Sequence, residues 1–410
     1  MKTFTSPLKN LREFEDIRRE LMYHQGVLQV YGCIDSQKSH FMYSAGEGFQ
    51  KKIILTYSDL KAKEIYEDYK FFDPNVMLYP SKDLIFYSAD IHSNLIGQQR
   101  IAVMKALLEN DRVTVITTLA GCMDHLLPLQ YFAEHVLCLK NDSSMDLDRL
   151  SEELVGMGYE KSSQVEGFGQ FAVRGGILDI YPLTEENPIR IELWGDEIDS
   201  IRSFDVESQR SIENLEEIKV YPANEVIVDK KHLELGLKKI EEESKKLYQT
   251  LRKQMKTEEA HRIQELTEEI KERLTDFRGV TGLDSYIHYF YDRDVSFLEY
   301  FDPKETIFFL DEPNHLEEEG YAVEEEFRES MMNRLAKGYI LPGQTEVLYS
   351  YNEIIGRLNN RNCLALSTLE KAKGDWKITT MHHMNVKSVN PNNNSFELLA
   401  QELRRFKKDG

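Results

Sequence analysis

The chain has 410 residues, 41% of them hydrophobic and 30% charged, a composition typical of globular proteins. At about 100–200 residues per domain, this length excludes a single ordinary domain and predicts roughly two to four. With 51 basic and 71 acidic residues, the formal net charge is −20. Broad binding to a nucleic-acid backbone is therefore not expected, because that affinity comes from many Lys and Arg side chains.

The cysteine pattern and the hydropathy indicate a cytoplasmic protein without a membrane segment. The four cysteines have neither paired nor metal-ligand spacing, which is typical of reduced thiols. The sequence contains no run of about 18 apolar residues, so no membrane partner is expected. The adjacent His382 and His383 have no Cys or carboxylate at ligand spacing, which predicts a polar surface pair and no metal site.

Residues 26–135 alternate between short β-branched runs and helical patterns, which predicts that residues 1–135 form the first segment of an α/β domain with a parallel sheet. Ser58 or Asp59 is a suitable N-cap for a helix in this segment. The predicted strands are 27–31, 53–57, 76–79 and 113–117, and the predicted helices are 60–69 and 98–109.

The rest of the chain divides into three further units. Residues 136–228 combine a helix at 145–157 with strand-like stretches and turn signals, which predicts an inserted antiparallel α+β domain. Residues 229–388 are predicted to form a helical hairpin, interrupted near 257–260, and a second α/β segment. Residues 389–410 are expected to begin a following domain that is truncated.

The helical hairpin carries an apolar seam with spacings of three and four residues. Packing of this seam against the neighbouring helix is the simpler interpretation, and docking of a partner helix is the alternative. The seam consists of Ile263, Leu266, Ile270, Leu274 and Phe277.

A phosphate loop would stand between the first strand and its helix, but its essential glycine is missing. Such a loop needs Gly before Lys-Ser/Thr so that backbone N–H groups can surround the phosphates. Gln37 replaces that glycine, although Lys38 and Ser39 are present. We therefore predict a degenerate, inactive nucleotide site. Its members are Gly32, Gln37, Lys38, Ser39 and the acidic pair Asp311 and Glu312.

The strands of the inserted domain predict an exposed face suited to a partner. Strand periodicity turns Arg190 and Trp194 outward on one strand, and Ala172 and Arg174 outward on a preceding one. Arg and Trp dominate binding hot spots, because they combine a large contact area with directional donors.

The docking interpretation requires unpaired guanidinium groups and an exposed indole. It predicts that Arg190→Ala or Trp194→Ala leaves folding intact and weakens partner binding by about an order of magnitude. The alternative is that the arginines pair with Glu192 and Asp179 and that the indole is half-covered by its own domain.

The same residues carry a resemblance to a known family. Segments 170–182 and 190–199 resemble the pattern shared by two kinds of bacterial repair protein, UvrB and the transcription-repair coupling factors. The similarity extends along nearly the whole chain, including 310–313. Gln37 and the short stretch 81–94, where UvrB carries a long aromatic hairpin, favour the N-terminal, UvrB-like module of the coupling factors.

The resemblance implies a helicase-like parallel sheet in two segments, interrupted by a UvrA-binding domain. It assigns UvrA contacts to Arg174, Arg190 and Trp194, the last in place of another aromatic residue. In the full-length family, other segments bind RNA polymerase and double-stranded DNA, translocate with ATP and Mg²⁺, and mask the UvrA face through a C-terminal domain. This chain is expected to recruit UvrA for nucleotide excision repair, with no enzymatic activity and no cofactor of its own.

Two other functions remain open. A UvrB-like, ATP-dependent enzyme that handles DNA damage would need nucleotide binding at 37–39. A scaffold that works through the helical hairpin at 231–278 would bind UvrA independently of the 174–194 face.

Overall fold

The computed structural model describes residues 7–23, 25–82, 91–275, 282–370, 374–386 and 395–409. None of the helices in these ranges is long and apolar enough to cross a membrane. The α-helices are α1 (Arg12–Leu21), α2 (Asp35–Ala45), α3 (Asp59–Lys70), α4 (Ile91–Glu109), α5 (Leu129–Glu134), α6 (Leu147–Gly156), α7 (Lys230–Lys253), α8 (Thr257–Thr275), α9 (Ile287–Phe290), α10 (Pro313–Ala336), α11 (Tyr351–Leu358) and α12 (Phe396–Asp409).

Within the described ranges, the strands belong to three sheets, and the predicted strands agree with the observed bounds within one or two residues. The strands are β1 (Gly26–Tyr31), β2 (Lys51–Thr56), β3 (Val76–Tyr79), β4 (Val113–Thr118), β5 (Leu137–Lys140), β6 (Glu160–Lys161), β7 (Gln170–Arg174), β8 (Ile177–Ile180), β9 (Ile189–Trp194), β10 (Glu197–Phe204), β11 (Ser211–Leu215), β12 (Glu217–Val220), β13 (Thr306–Asp311), β14 (Asn362–Ser367) and β15 (Ile378–His383).

The largest sheet confirms an α/β domain built from two chain segments. Its order is β15-β1-β14-β13-β2-β4-β3, and every neighbouring pair is parallel. Strands of the second segment lie among those of the first, since β13 and β14 stand between β1 and β2. Neither segment can therefore complete the sheet alone.

Continuous apolar runs make these strands suitable for a sheet covered on both faces. All six residues of β4 and of β13 are buried. Neighbouring residues point to opposite sides, so Ile53 and Phe308 belong to one core, whereas Ile54 and Phe309 belong to the other. Ser58 caps α3 as predicted, because its Oγ accepts the Lys61 N–H at 3.2 Å.

The inserted region forms a separate six-stranded sheet in the order β11-β10-β9-β8-β7-β6, antiparallel except for the short β6–β7 pair. Gly175, with φ of 63°, makes the turn between β7 and β8, and Gly195, with φ of 64°, makes the turn between β9 and β10. L-residues resist this left-handed conformation, which favours glycine at both turns. The antiparallel character of the insertion is confirmed.

The hairpin of α7 and α8 packs on itself and on its own domain. Its break lies at 254–256, where Met255 has a φ of 60°, slightly before the predicted 257–260. Ile263 and Ile270 are buried in a core that also contains residues of α7, so the simpler interpretation of the seam holds for them. Phe277 lies outside the described residues.

Two other sequence predictions concern segments that lie outside the residues described by the structure. Residues 83–90 contain most of the stretch in which the long UvrB hairpin would stand. Residues 387–394 contain the predicted start of a following domain, after which the chain forms α12.

A cluster of buried charges joins the inserted domain to the large sheet. Arg100 on α4 is fully buried, with its Nε 2.9 Å from Glu225 Oε1 and an Nη 2.8 Å from Asp124 Oδ2. Lys82 also pairs with Glu225. Burial opposes ionisation of Glu225, but Arg100 and Lys82 outweigh it and lower the pKa of this carboxyl to about 2. The end of the inserted domain is thus tied to the sheet by charges that neutralise one another.

Candidate docking face and degenerate phosphate site

The predicted phosphate site lies at the carboxyl end of β1, where α2 begins. Gly32 has a φ of 86°, and a Cβ there would lie 2.3 Å from the carbonyl oxygen of Met384, so close packing requires glycine. Gln37 Oε1 accepts the Ile34 N–H at 3.4 Å. The glutamine thus satisfies a backbone donor at the helix end, where a phosphate loop would direct such donors to a ligand.

Lys38 is held by the two acidic residues that would bind Mg²⁺ in an intact site. Its Nζ lies 2.8 Å from Asp311 Oδ1 and 2.6 Å from Glu312 Oε1, and the Lys38 and Asp311 side chains are almost completely buried. Thr56 Oγ1 donates to Asp311 Oδ2 at 2.9 Å. Burial opposes the charge of Lys38, but the two carboxylates raise the pKa of its ammonium group. A phosphate would have to compete with both carboxylates.

A cavity of about 740 Å³ opens beside Lys38. Carboxylates outnumber ammonium groups along its wall, which disfavours a polyphosphate. Its identity as a former nucleotide site stays a prediction. The ionisable lining residues are Lys38, Tyr57, Lys61, Glu64, Asp68, Asp311, Glu312 and His315.

Replacing Lys38 by Met tests whether this lysine serves the fold. We expect the free energy of unfolding to fall by roughly 3 kcal/mol, because Asp311 would stay buried without its counter-charge. Denaturant titration measures the change. Lys61→Met is the matched control, since Lys61 lines the same cavity but pairs with the exposed Glu64; it should change stability by less than about 1 kcal/mol. Equal effects would contradict a structural role for Lys38.

The outer face of the inserted sheet is assembled across neighbouring strands. Arg190 on β9 stands in register with Asp179 on β8 and with Arg202 on β10. Ala172 on β7 stands opposite Asp179, and both are 1% exposed. Ala172 thus lies on the outer face but is covered there, because it stands opposite Asp179, to which the longer Arg174 and Arg190 side chains bond.

Asp179 binds both arginines, so the prediction of unpaired guanidinium groups is wrong. It accepts from Arg190 Nε at 2.7 Å and from an Arg190 Nη at 2.8 Å, and from an Arg174 Nη at 2.8 Å. Arg190 also donates to Gln209 Oε1 at 2.9 Å and stacks over the Phe204 ring at 4.4 Å. A buried carboxylate needs counter-charges, and strand register puts the two arginines within its reach.

The two arginines differ in how much they present to solvent. The Arg174 side chain is 47% exposed and donates one hydrogen bond to Asp179, whereas the Arg190 side chain is 15% exposed. Glu192, the other acid of the alternative interpretation, pairs with Arg202. Sequence reasoning missed Arg202, although alternation along β10 would have turned it to this face. We call Arg174, Asp179, Arg190, Glu192 and Arg202 the ion-pair network.

Trp194 confirms the prediction of an exposed indole. It is 85% exposed at the end of β9, just before the turn at Gly195. The alternative, in which its own domain half-covers the indole, is wrong. The side chain projects from the tip of a hairpin, where the chain offers few neighbours to cover it.

Because Arg190 is paired with Asp179, we no longer expect that its replacement leaves the stability unchanged. Arg190→Met should lower the free energy of unfolding by about 2 kcal/mol, because Asp179 loses two of its three charge-assisted hydrogen bonds. Trp194→Ala, in the same strand but exposed, should change it by less than about 0.5 kcal/mol. Denaturant titration of the two variants tests this difference, and a fully stable Arg190→Met variant would contradict it.

Neither adjacent histidine forms a metal site within the described residues. His382 Nε2 lies 2.9 Å from Glu20 Oε2, and the His383 ring stacks on Tyr31. A group with metal-ligand geometry lies elsewhere and was missed, because His125 is far along the chain from the other two members. That group is His125, His288 and Asp294.

The comparisons with known proteins agree with this architecture. Residues 137–226 match the family model described as the UvrB interaction domain. The transcription-repair-coupling factor of Bacillus subtilis is 30% identical over 406 residues, 98% of this chain and 34% of that protein. The resemblance to the coupling factors is confirmed.

Two staphylococcal coupling factors are similar as well. That of Staphylococcus haemolyticus is 28% identical over 83% of this chain and 29% of its own length. That of Staphylococcus aureus is 29% identical over 85% of this chain and 30% of its own length. The chain thus spans about a third of the length of the coupling factors that it matches.

The matched domain contains one of the two candidate sites and not the other. The whole ion-pair network and Trp194 lie inside 137–226, whereas Lys38 and its acidic partners lie outside. The predicted boundaries 136–228 enclose the matched range and stay a prediction.

Proposed function

We propose that this chain is the UvrA-recruiting, N-terminal module of a transcription-repair coupling factor that acts in the cytoplasm. The observation that carries the proposal is a UvrB interaction domain with an exposed Trp194 beside its ion-pair network. In the parent protein, RNA polymerase stalled at a DNA lesion would be recognised and displaced, and UvrA would be recruited for nucleotide excision repair. Polymerase, double-stranded DNA, ATP and Mg²⁺ would bind other segments of the parent.

The docking interpretation of the sequence required unpaired guanidinium groups, but both arginines are paired with Asp179. We therefore propose that the ion-pair network binds as a preorganised surface. Asp179 and Gln209 hold the Arg190 guanidinium in one orientation, so little side-chain entropy would be lost on association. Arg174 gives one of its five N–H donors to Asp179, and the others can reach carboxylates or carbonyl groups of UvrA. The network carries three arginines against two acids, which makes it locally positive on a chain of net charge −20.

Trp194 would supply the apolar part of the contact. An exposed indole gains free energy when a partner removes it from water, and aromatic anchors of this kind dominate hot spots. In the parent, a C-terminal domain would mask the face until activation. The chain by itself should therefore bind UvrA constitutively, by association alone.

Trp194→Ala is expected to weaken UvrA binding at least tenfold, since the loss of a central aromatic anchor costs about 2 kcal/mol. Biolayer interferometry with purified UvrA measures the affinity. Phe71→Ala is the matched control, because Phe71 is 83% exposed on the large α/β domain; it should leave the affinity unchanged. Wild-type affinity in Trp194→Ala, or an equal loss in both variants, would exclude this face as the docking site.

The competing function is a UvrB-like ATP-dependent enzyme, which the cavity beside Lys38 would have to serve. Because Asp311 and Glu312 already occupy the Lys38 ammonium group, we expect no heat when ATP·Mg²⁺ is titrated into the protein. Binding in the micromolar range, abolished by Ser39→Ala, would favour the enzyme. A scaffold function of the α7–α8 hairpin instead predicts UvrA binding that is insensitive to Trp194→Ala.

A further inference from the structure

Two histidines and one aspartate converge at a half-buried site away from the docking face. His125 follows β4 in the first α/β segment, whereas His288 on α9 and Asp294 belong to the second segment. One nitrogen or oxygen donor from each residue lies within 4.8 Å of the others. The side chains are 12%, 27% and 17% exposed, respectively. The group is thus confined but accessible to a small ion from solvent.

The backbone holds these residues in place. Leu126 and Val295, each next to a member of the group, exchange two backbone hydrogen bonds of 2.8 Å. A further bridge joins Asp124 to Leu348. The His125 ring stacks on Tyr349 with the ring centroids 3.8 Å apart. The side chains are therefore positioned by the fold, which a specific ligand set requires.

Hydrogen bonds around the group orient its donor atoms. His288 Nε2 lies 2.8 Å from the carbonyl oxygen of Glu346, and a carbonyl can only accept, so Nε2 carries a proton. In the neutral ring the lone pair is then on Nδ1, which faces Asp294 Oδ2 at 3.5 Å. Tyr349 donates its hydroxyl hydrogen to Asp294 Oδ1. Such outer hydrogen bonds to the remote ring nitrogen and to the carboxylate are typical of metal ligands.

The distance between the two facing acceptors suits a shared cation. The distance between His288 Nδ1 and Asp294 Oδ2 is 3.5 Å, which is longer than a normal hydrogen bond. Ligands about 2.0–2.1 Å from a tetrahedral Zn²⁺ are separated by about 3.3–3.4 Å. His125 Nδ1 lies 2.8 Å from Asp294 Oδ1 and is the third candidate ligand atom. On metal binding this hydrogen bond would be replaced by a bond to the ion, with the His125 proton on Nε2.

We propose that His125, His288 and Asp294 form a binding site for a divalent transition-metal ion, in particular Zn²⁺. Imidazole and carboxylate donors suit this class of ion, and three protein ligands leave one position for water. Since the ligands come from both α/β segments, the ion would crosslink them at a point beyond the sheet. This role is separate from UvrA recruitment.

Zn²⁺ titrated by calorimetry into the chelator-treated protein tests the site. We expect one equivalent to bind, Co²⁺ to give the intense visible bands of a tetrahedral complex, and the thermal midpoint to rise with Zn²⁺ concentration. His288→Gln and Asp294→Asn should each weaken Zn²⁺ binding by about 100-fold or more. Tyr349→Phe, which removes only the outer hydrogen bond, should weaken it by about tenfold.

His261→Gln is the matched control, because His261 is a surface histidine paired with Glu265 on α8; it should bind Zn²⁺ like the wild type. X-ray absorption at the zinc edge needs only the wild-type protein, so a folding defect of a variant cannot affect it. We expect two imidazole ligands in the zinc shell. Absence of stoichiometric binding, a zinc shell without two imidazoles, or unchanged affinity in folded His288→Gln and Asp294→Asn would overturn the proposal.

Discussion

A charge that folding removes from water needs a counter-charge within the same molecule, and this constraint shapes both candidate sites. Lys38 is neutralised by Asp311 and Glu312, and Asp179 is neutralised by Arg174 and Arg190. Breaking such a pair leaves one charge buried and unpaired, which is strongly destabilising. Lys38 and Arg190, whose residue types suggest catalysis or docking, therefore have a structural role in stabilising the fold.

This internal pairing has different consequences at the two sites. At the predicted phosphate site, Lys38 is paired with Asp311 and Glu312, and the cavity beside it has a mainly acidic wall. On the outer face of the inserted sheet, the pairing orients Arg174 and Arg190 while leaving Arg174 partly exposed, and Trp194 on the same strand as Arg190 is exposed. The same physical requirement thus disfavours ligand binding in one place and preorganises a surface in the other.

The inserted domain leaves and re-enters a sheet whose strands come from two chain segments. Because β13 and β14 lie between β1 and β2, the sheet can form only when the chain returns after the inserted domain and the helical hairpin. Contacts between distant parts of the chain then become important, including the buried ion pair that joins Arg100 of the first segment to Glu225 of the inserted domain. A metal ion at His125, His288 and Asp294 would add a further crosslink of this kind.

Local residue patterns determined the elements and the domain type, because hydrophobic periodicity, the Ser58 cap and glycine turns depend on near neighbours in the chain. They also determined that the indole of Trp194 points outward. Only the tertiary structure decided which charges meet. Alternation turns Arg190 to the outer face, but the register of a separate strand brings Asp179 to it, and Lys38 meets Asp311 only through the packing of distant segments.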